Sequence, residues 1–99
     1  MSEKTLMIVN ASVKPDEKEA YEYYTQHAGP LFKKGGGTPV AKYQVAERIT
    51  GTEEAQFVAI MEFPSKEAIK GVFDSEEYKA LLPYRDKAYT SLNVFIGEQ

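Results

Sequence analysis

The sequence predicts an α+β fold, a ferredoxin-like split βαβ plait whose four-stranded antiparallel sheet carries its helices on one face. Short runs rich in β-branched and aromatic residues alternate with helical stretches in the order β-α-β-β-α-β. The chain has 99 residues, which is the length of one domain, so we expect a single domain over residues 1–99. Apolar side chains also point to both faces of the predicted strands, which indicates that the sheet has a partner on each side.

The first half of the chain predicts a strand followed by a long helix. Residues 6–10 form an apolar run typical of a strand. Pro15 suits the first turn of a helix, and the acidic residues after it favour the positive end of the helix dipole. Gly29 and Pro30 predict a kink, and the glycines at 35–37 predict the end of the helix. The face predicted to point inward carries Ala20, Tyr24, His27, Ala28 and Leu31.

The second half predicts a hairpin, two short helices and a last strand. Residues 39–50 and 56–63 read as strands that pair around a turn at 51–54. Ser65 and Ser75 are each placed to cap a short helix, and Pro83 is expected to break or kink the second one. Residues 92–96 predict the fourth strand.

The predicted strands do not alternate cleanly between apolar and polar side chains. In the third strand Phe57 and Met61 point one way, whereas Val58 and Ile60 point the other way. The helices of the plait cover one face only, and a large exposed apolar patch is rare on a monomer. We therefore expect a homodimer in which two sheets pack face to face across a two-fold axis, as an α+β barrel.

Composition argues against several classes of protein. The net charge is −3 and the basic residues form no stripe, so we expect no nucleic-acid partner. The chain has no cysteine, which excludes disulfides and thiolate chemistry, and it has one histidine, so we expect no metal site. The apolar run at 6–9 is too short for a signal or a membrane span, so we expect a cytoplasmic protein without membrane association.

His27 and Tyr24 are the candidate catalytic residues. An imidazole changes charge near neutral pH and can act as a general acid or base. The spacing places His27 on the same predicted helix face as Tyr24. The alternative is that His27 only bonds to a backbone carbonyl near the predicted kink, and that the tyrosine belongs to the core.

Ser75, Tyr78 and Arg85 are candidate ligand-binding residues. Tyr78 and Arg85 are seven residues apart and can share a helix face, with Ser75 one turn earlier. Arginine offers a planar set of donors to a carboxylate or phosphate. The alternative is structural: Ser75 caps, Tyr78 packs, and Arg85 pairs with an acidic neighbour.

Asn10 and Glu62 complete the candidate ligand-binding set. Both are polar residues near the ends of apolar strands, and we expect them to face the gap between the sheet and the helices. Burial without partners would cost each of them roughly 1–3 kcal/mol, so they should be hydrogen-bonded or face solvent in a cavity.

The segment from 62 to 85 carries a resemblance to a known family. It reads Glu62-Phe63-Pro64-Ser65, then Phe73-Asp74-Ser75-Glu76-Glu77-Tyr78, then Leu81-Leu82-Pro83-Tyr84-Arg85. With Tyr21, Tyr24, the Pro30-Leu31 step and Gly36-Gly37 in register, this pattern resembles the domain-of-unknown-function family numbered 1330. The resemblance implies a dimeric α+β barrel, an architecture shared with cofactor-free monooxygenases, haem-degrading enzymes and stress-response proteins.

Two departures from the family pattern bear on the site. The family places an arginine in the second strand, where this chain reads Ala41-Lys42-Tyr43. It also places Trp-Tyr before the Asp-Ser step, where this chain has Val72-Phe73 and no tryptophan anywhere. A pocket there is therefore expected to be less polar, and haem degradation is disfavoured.

These observations predict a site between sheet and helices for a small apolar or aromatic acid. Arg85 and Tyr78 would anchor the anion, and His27 or Tyr24 would carry a proton. No nucleophile–base pair is visible, so a monooxygenase-like or isomerase-like reaction without a cofactor is favoured over hydrolysis. The alternative is a non-enzymatic small-molecule-binding or stress-response dimer.

Overall fold

A computed structural model describes residues 5–52 and 54–98 of the chain. The charged start of the chain at 1–4, Glu53 of the predicted turn, and Gln99 lie outside the described residues. The elements, in chain order, are β1 Thr5–Val13, α1 Lys18–Lys34, β2 Thr38–Gln44, β3 Phe57–Phe63, α2 Lys66–Asp74, α3 Glu76–Lys79, α4 Leu82–Ala88 and β4 Tyr89–Glu98.

The four strands form one antiparallel sheet in the order β2-β3-β1-β4. Met7 on β1 lies opposite Met61 on β3 and Ile96 on β4. The core joins the helix side of this sheet to α1, α2 and α3, and its two most deeply buried large side chains are Ile69 and Tyr78. The predicted α+β ferredoxin-like fold, with helices on one face of an antiparallel sheet, is confirmed.

The edge strands differ most from prediction. β4 begins at Tyr89 rather than at 92, whereas β2 ends at Gln44 rather than at 50. After Gln44 one further ladder bond forms, from the Val45 N–H to the Gln56 carbonyl at 2.9 Å. Its partner strand starts at Phe57, and the β2–β3 loop lies between the two strands, described at residues 45–52 and 54–56.

Helix α1 runs without interruption past Pro30 and ends at the predicted glycines. Gly36 has a φ of 101°, a left-handed conformation that favours glycine and turns the chain toward β2. At Gly37 a Cβ would lie 2.8 Å from the Phe32 carbonyl oxygen, so only glycine lets the chain pass this close to the helix. The tight turn brings β2 directly beside the end of α1.

Both predicted serine caps are confirmed. The Ser65 hydroxyl accepts a hydrogen bond from the Ala68 N–H at 3.1 Å, and Ser75 accepts one from the Tyr78 N–H at 3.2 Å. The helical segment after Ser75 is broken between Lys79 and Leu82, and Pro83 lies in the first turn of α4. Proline is tolerated there because the first N–H groups of a helix have no partner within it.

The sheet face that points away from the helices is partly apolar. Ile8 of β1 is flanked by Ile60 of β3 and Phe95 of β4, and Phe95 is 54% exposed. We call this surface the outer sheet face; its apolar members also include Leu6, Val58 and Tyr43. No helix in the described part of the chain is both long and apolar enough to cross a membrane.

Candidate functional site

Tyr24, Tyr78 and Arg85 form a chain of hydrogen bonds beneath the helices. The hydroxyl oxygens of Tyr24 and Tyr78 lie 2.7 Å apart, and Arg85 Nη1 donates to the Tyr78 hydroxyl at 3.3 Å. Both tyrosines are buried, at 7% and 1% exposure. The break before Pro83 turns α4 so that Arg85 reaches back to Tyr78, and the predicted pairing of these two residues is therefore present, although they lie on different helices.

The chain of hydrogen bonds sets the charge of its members. Burial and the hydrogen bond to Tyr78 raise the pKa of Tyr24 far above its ordinary value, so its hydroxyl stays protonated at neutral pH. Burial alone would lower the pKa of Arg85, but the hydrogen bond and charge interaction with Tyr78 outweigh it and the net shift is upward. The group at this point of the site is thus a permanent cation whose Nη1 donates to the Tyr78 hydroxyl.

Arg85 lies in the wall of a cavity of about 690 Å³ between α2, α4 and β4. We call this the outer cavity. Its apolar wall is formed by Ile69, Phe73, Tyr89, Leu92 and Val94, among others. The charged side chains Lys70, Asp74 and Asp86 also line it, and Arg85 Nε lies 3.5 Å from Asp86 Oδ1. Neither this contact nor the bond to Tyr78 uses Nη2 of Arg85.

A second, smaller cavity of about 150 Å³ lies deeper, between α1 and the sheet. We call it the inner cavity. Its walls include Tyr24, Phe32, Phe57 and Met61, and four residues line both cavities: Phe73, Tyr89, Leu92 and Val94. Burial raises the pKa of Tyr89 well above its ordinary value, so this shared wall is also uncharged. Arg85 therefore stands on one side of an apolar partition and Tyr24 on the other.

Ser75 is close in sequence to Tyr78, but its hydrogen bonds are structural. Its hydroxyl donates to the Val72 carbonyl at 2.7 Å and accepts from the Tyr78 N–H. It joins the end of α2 to the start of α3 and fixes the backbone that carries Tyr78. The structure places it in the wall of a separate groove near Gly35 and Gly71, not in the outer or inner cavity.

The prediction that His27 faces inward with Tyr24 is wrong. His27 is exposed, and its Nδ1 lies 2.8 Å from the Tyr23 carbonyl oxygen. Its ring stacks on Tyr23 at 4.1 Å between centroids, and Tyr23 stacks on Tyr84 at 4.0 Å. The buried positions of α1 follow a four-residue step through Tyr24, Ala28 and Phe32. His27 lies between two of these positions and is therefore outside the buried face.

Asn10 and Glu62 do not face the gap between sheet and helices. Met7 and Phe63 belong to the helix-side core, and side chains alternate along a strand, so Asn10 and Glu62 point to the outer sheet face. Asn10 lies opposite Asn93 on β4, and Glu62 lies opposite Leu6. The positional prediction for these two residues is corrected accordingly, and neither lines the outer or inner cavity.

Sequence reasoning did not identify Tyr89 or Phe73 as site residues. Tyr89 was missed because strand four was expected to begin at 92, and because alternation back from Leu92 and Val94 would place residue 89 on the opposite face. A register shift where β1 passes from Ser12 to Val13 changes this alternation, so the sequence carried no signal for Tyr89. Phe73 was noted only as a departure from the family pattern that makes a pocket there less polar, and not as a site residue. Within residues 5–52 and 54–98, no three acidic or histidine side chains are grouped to hold a metal ion.

Fold and site together define a small ferredoxin-like α+β domain in which hydrogen bonds connect Tyr24, Tyr78 and Arg85 beneath the helices. The chain belongs to the family described as a domain of unknown function, DUF1330, whose family model matches residues 4–98. The predicted family membership is confirmed. Among curated proteins no relative matches the chain.

Solved structures share the fold at low sequence identity. A protein of unknown function from Rhodopseudomonas palustris is 23% identical, with a TM-score of 0.82, and the match covers 100% of this chain and 84% of that one. A putative antibiotic biosynthesis monooxygenase from Nitrosomonas europaea is 17% identical, with a TM-score of 0.69 and coverage of 100% and 92%. A dimeric protein of unknown function from Bacteroides fragilis is 13% identical, with a TM-score of 0.64 and coverage of 97% and 96%.

Proposed function

We propose that this protein is a homodimer that binds a small apolar or aromatic acid, one per subunit, in the outer cavity. The observation that carries the proposal is Arg85, a cation whose side chain is only 28% exposed in a wall that is about half apolar. A charge in such a place is costly to bury and is commonly paired with an anion. Tyr78 holds Nη1 of the guanidinium and Asp86 approaches Nε, and neither contact uses Nη2, which we propose binds the carboxylate of the ligand.

The apolar half of the wall suits the apolar part of such an acid. Ile69, Phe73 and Leu92 offer apolar surface to the rest of the molecule once its carboxylate has reached Arg85. Asp74 and Asp86 line the same cavity and balance the positive charges of Lys70 and Arg85, so no net positive charge is left there for a second anionic group. We therefore favour a monocarboxylic acid over a phosphate or a dicarboxylic acid.

Binding without turnover is the function that the geometry supports best, and turnover is the second candidate. A cofactor-free monooxygenase-like or isomerase-like reaction needs an apolar pocket and a polar group that polarises the substrate. Arg85 supplies such a group, and the protonated hydroxyl of Tyr24 supports it through the shared bond to the Tyr78 hydroxyl. The putative antibiotic biosynthesis monooxygenase from Nitrosomonas europaea shares the fold, and oxygen uptake is therefore worth testing with each acid that binds.

The proposed dimer packs one outer sheet face against the other. Ile8, Ile60 and Phe95 lie side by side there, and such apolar surfaces are usually covered by a partner. The Bacteroides fragilis structure with this fold is described as dimeric, which supports the proposal without settling it for this chain.

Native mass spectrometry of the protein as purified from cells is the first test. A dimer carrying extra mass would support both parts of the proposal and provide a compound to identify. A dimer without extra mass leaves the acid to be tested by calorimetry with phenylacetate and hexanoate. A monomer at micromolar concentration would contradict the dimer.

Arg85→Gln is the decisive variant for the anion site. The chain has two arginines, and Arg48, which lies in the exposed β2–β3 loop and approaches Glu54 at 3.6 Å, provides the matched control Arg48→Gln. We expect Arg85→Gln to weaken acid binding by at least about tenfold, the factor that ~1.4 kcal/mol produces, whereas Arg48→Gln leaves it unchanged. Equal affinity for wild type and Arg85→Gln would overturn the proposal.

A further inference from the structure

We propose that the inner cavity is a separate subsite for a single benzene-sized aromatic ring, and that it sets the size limit of the acid bound at Arg85. The inference rests on the proposed function only for the carboxylate end of the ligand. The inner cavity has about 150 Å³. Apolar cavities of about this size stay dry and bind benzene.

The lining of the inner cavity suits a ring. Five aromatic side chains line its walls: Tyr24, Phe32, Phe57, Phe73 and Tyr89. Aromatic pairs favour edge-to-face and offset contacts, and several of these rings already pack edge-on, such as Tyr24 and Tyr89 with centroids 5.7 Å apart. The Tyr24 hydroxyl is engaged with Tyr78, so the cavity presents mainly ring and methyl surfaces to an occupant.

The two cavities are close enough to share one ligand. Phe73, Tyr89, Leu92 and Val94 line both, so the partition between them is one side chain thick. Tyr24 on the inner side and Arg85 on the outer side are linked through the single hydroxyl of Tyr78. An arylacetic acid can thus place its ring inside and its carboxylate at Arg85 when the partition side chains rotate. A fused two-ring system exceeds the roughly three quarters of the inner volume that atoms fill at protein packing density.

The methionines provide a reporter for the ring. The chain has three, and two of them, Met7 and Met61, line the inner cavity, while Met1 lies outside the described residues. With methyl-¹³C methionine, the proton shifts of these methyl groups respond to a ring placed beside them. The variants Met7→Leu and Met61→Leu assign the two signals.

The experiment titrates wild-type protein with benzene, phenylacetate, 1-naphthylacetate and acetate. We expect benzene and phenylacetate to shift both methionine signals, and phenylacetate to bind at least about tenfold more tightly than acetate or naphthylacetate. Ala59→Val, which narrows the inner cavity without touching Arg85, should abolish the benzene shifts. Val94→Ala, which enlarges it, should admit naphthylacetate and keeps the test available if Ala59→Val fails to fold.

The outcomes separate this inference from the proposed function. If the acids bind in an Arg85-dependent way but the methionine signals do not move, the ring subsite is wrong and the proposed function stands. If benzene shifts the signals but acid binding is the same in Arg85→Gln, the subsite stands and the proposed anion site is wrong. If neither benzene nor any acid binds, both are wrong.

Discussion

At the scale of single residues, the Tyr78 hydroxyl is the atom on which the site depends. It bonds to Tyr24 on one side and accepts from Arg85 on the other. Removing it leaves the buried Tyr24 hydroxyl without that partner, and an unsatisfied buried hydroxyl is costly. The same atom also orients the guanidinium that the proposed function requires.

Tyr78→Phe should therefore lower both stability and acid affinity. We expect a loss of roughly 1–3 kcal/mol in the free energy of unfolding, measured by urea titration, because a buried donor loses its partner. Tyr84→Phe removes the same atom from a tyrosine that is 38% exposed and stacked on Tyr23, so it is the matched control. Equal stability of the two variants would show that the Tyr24–Tyr78 bond contributes nothing.

Buried tyrosines also predict how stability changes with alkaline pH. The pKa of Tyr89 is raised in the folded protein from an ordinary value of 10.0, and the pKa of Tyr24 is raised too. Above about pH 10 the unfolded chain therefore binds fewer protons than the folded one, and the free energy of unfolding falls by about 1.4 kcal/mol per pH unit for each such group. Below pH 10 these groups contribute their full stabilisation.

Urea unfolding between pH 9 and pH 11 checks this expectation. In Tyr89→Phe the free energy of unfolding should fall less steeply above about pH 10, by about 1.4 kcal/mol per pH unit, because one of the two raised groups is removed. Tyr43→Phe changes a tyrosine that is 61% exposed and should leave the slope at the wild-type value. A wild-type curve that is flat through pH 11 would contradict the raised pKa values.

At the scale of elements, the two serine caps allow a clean comparison. Each hydroxyl accepts one backbone N–H at the start of a short helix, from Ala68 in α2 and from Tyr78 in α3. Ser65→Ala and Ser75→Ala should each lower the free energy of unfolding by about 1 kcal/mol in urea titrations. Because only Ser75 holds the backbone of Tyr78, only Ser75→Ala should also weaken acid binding by calorimetry. Equal acid affinity for both variants would show that α3 is positioned without its cap.

The elements that the sequence predicted well are those with a local cause. A hydroxyl three residues before a helical N–H explains both caps, and glycine explains the end of α1 near Gly36. The end of β2 has a cause elsewhere in the chain, since it depends on where β3 begins. No pattern within residues 39–50 carries that information.

The site residues also divide into those placed by local spacing and those placed by packing against distant parts of the sequence. The seven-residue spacing indicated that Tyr78 and Arg85 could meet, and they do. His27 was misplaced because helical spacing alone does not define which of two neighbouring stripes points inward; Phe32 and Tyr24 decide it by packing. Asn10 and Glu62 were misplaced because the face of a strand follows from its neighbours in the sheet, which are distant in sequence.

At the scale of the whole molecule, the two sides of the sheet have different tasks. The helix side holds the core and both cavities, whereas the outer sheet face carries the half-buried Ile8 and Ile60 and the exposed Phe95. Ligand binding is therefore proposed within a subunit and association between subunits. This separation makes the two parts of the proposed function independently testable.

Phe95→Lys should convert the proposed dimer to a monomer without loss of the acid site. Phe95 is 54% exposed, so a lysine fits the isolated subunit, but two of them across a two-fold axis would bury like charges. Tyr84→Lys makes the same kind of change at an aromatic residue on α4, in the helix layer, and should stay dimeric. Sedimentation velocity measures the state of each variant, and calorimetry measures phenylacetate binding. A Phe95→Lys protein that remains dimeric would place the contact elsewhere, whereas a monomer that no longer binds phenylacetate would show that the partner subunit completes the site.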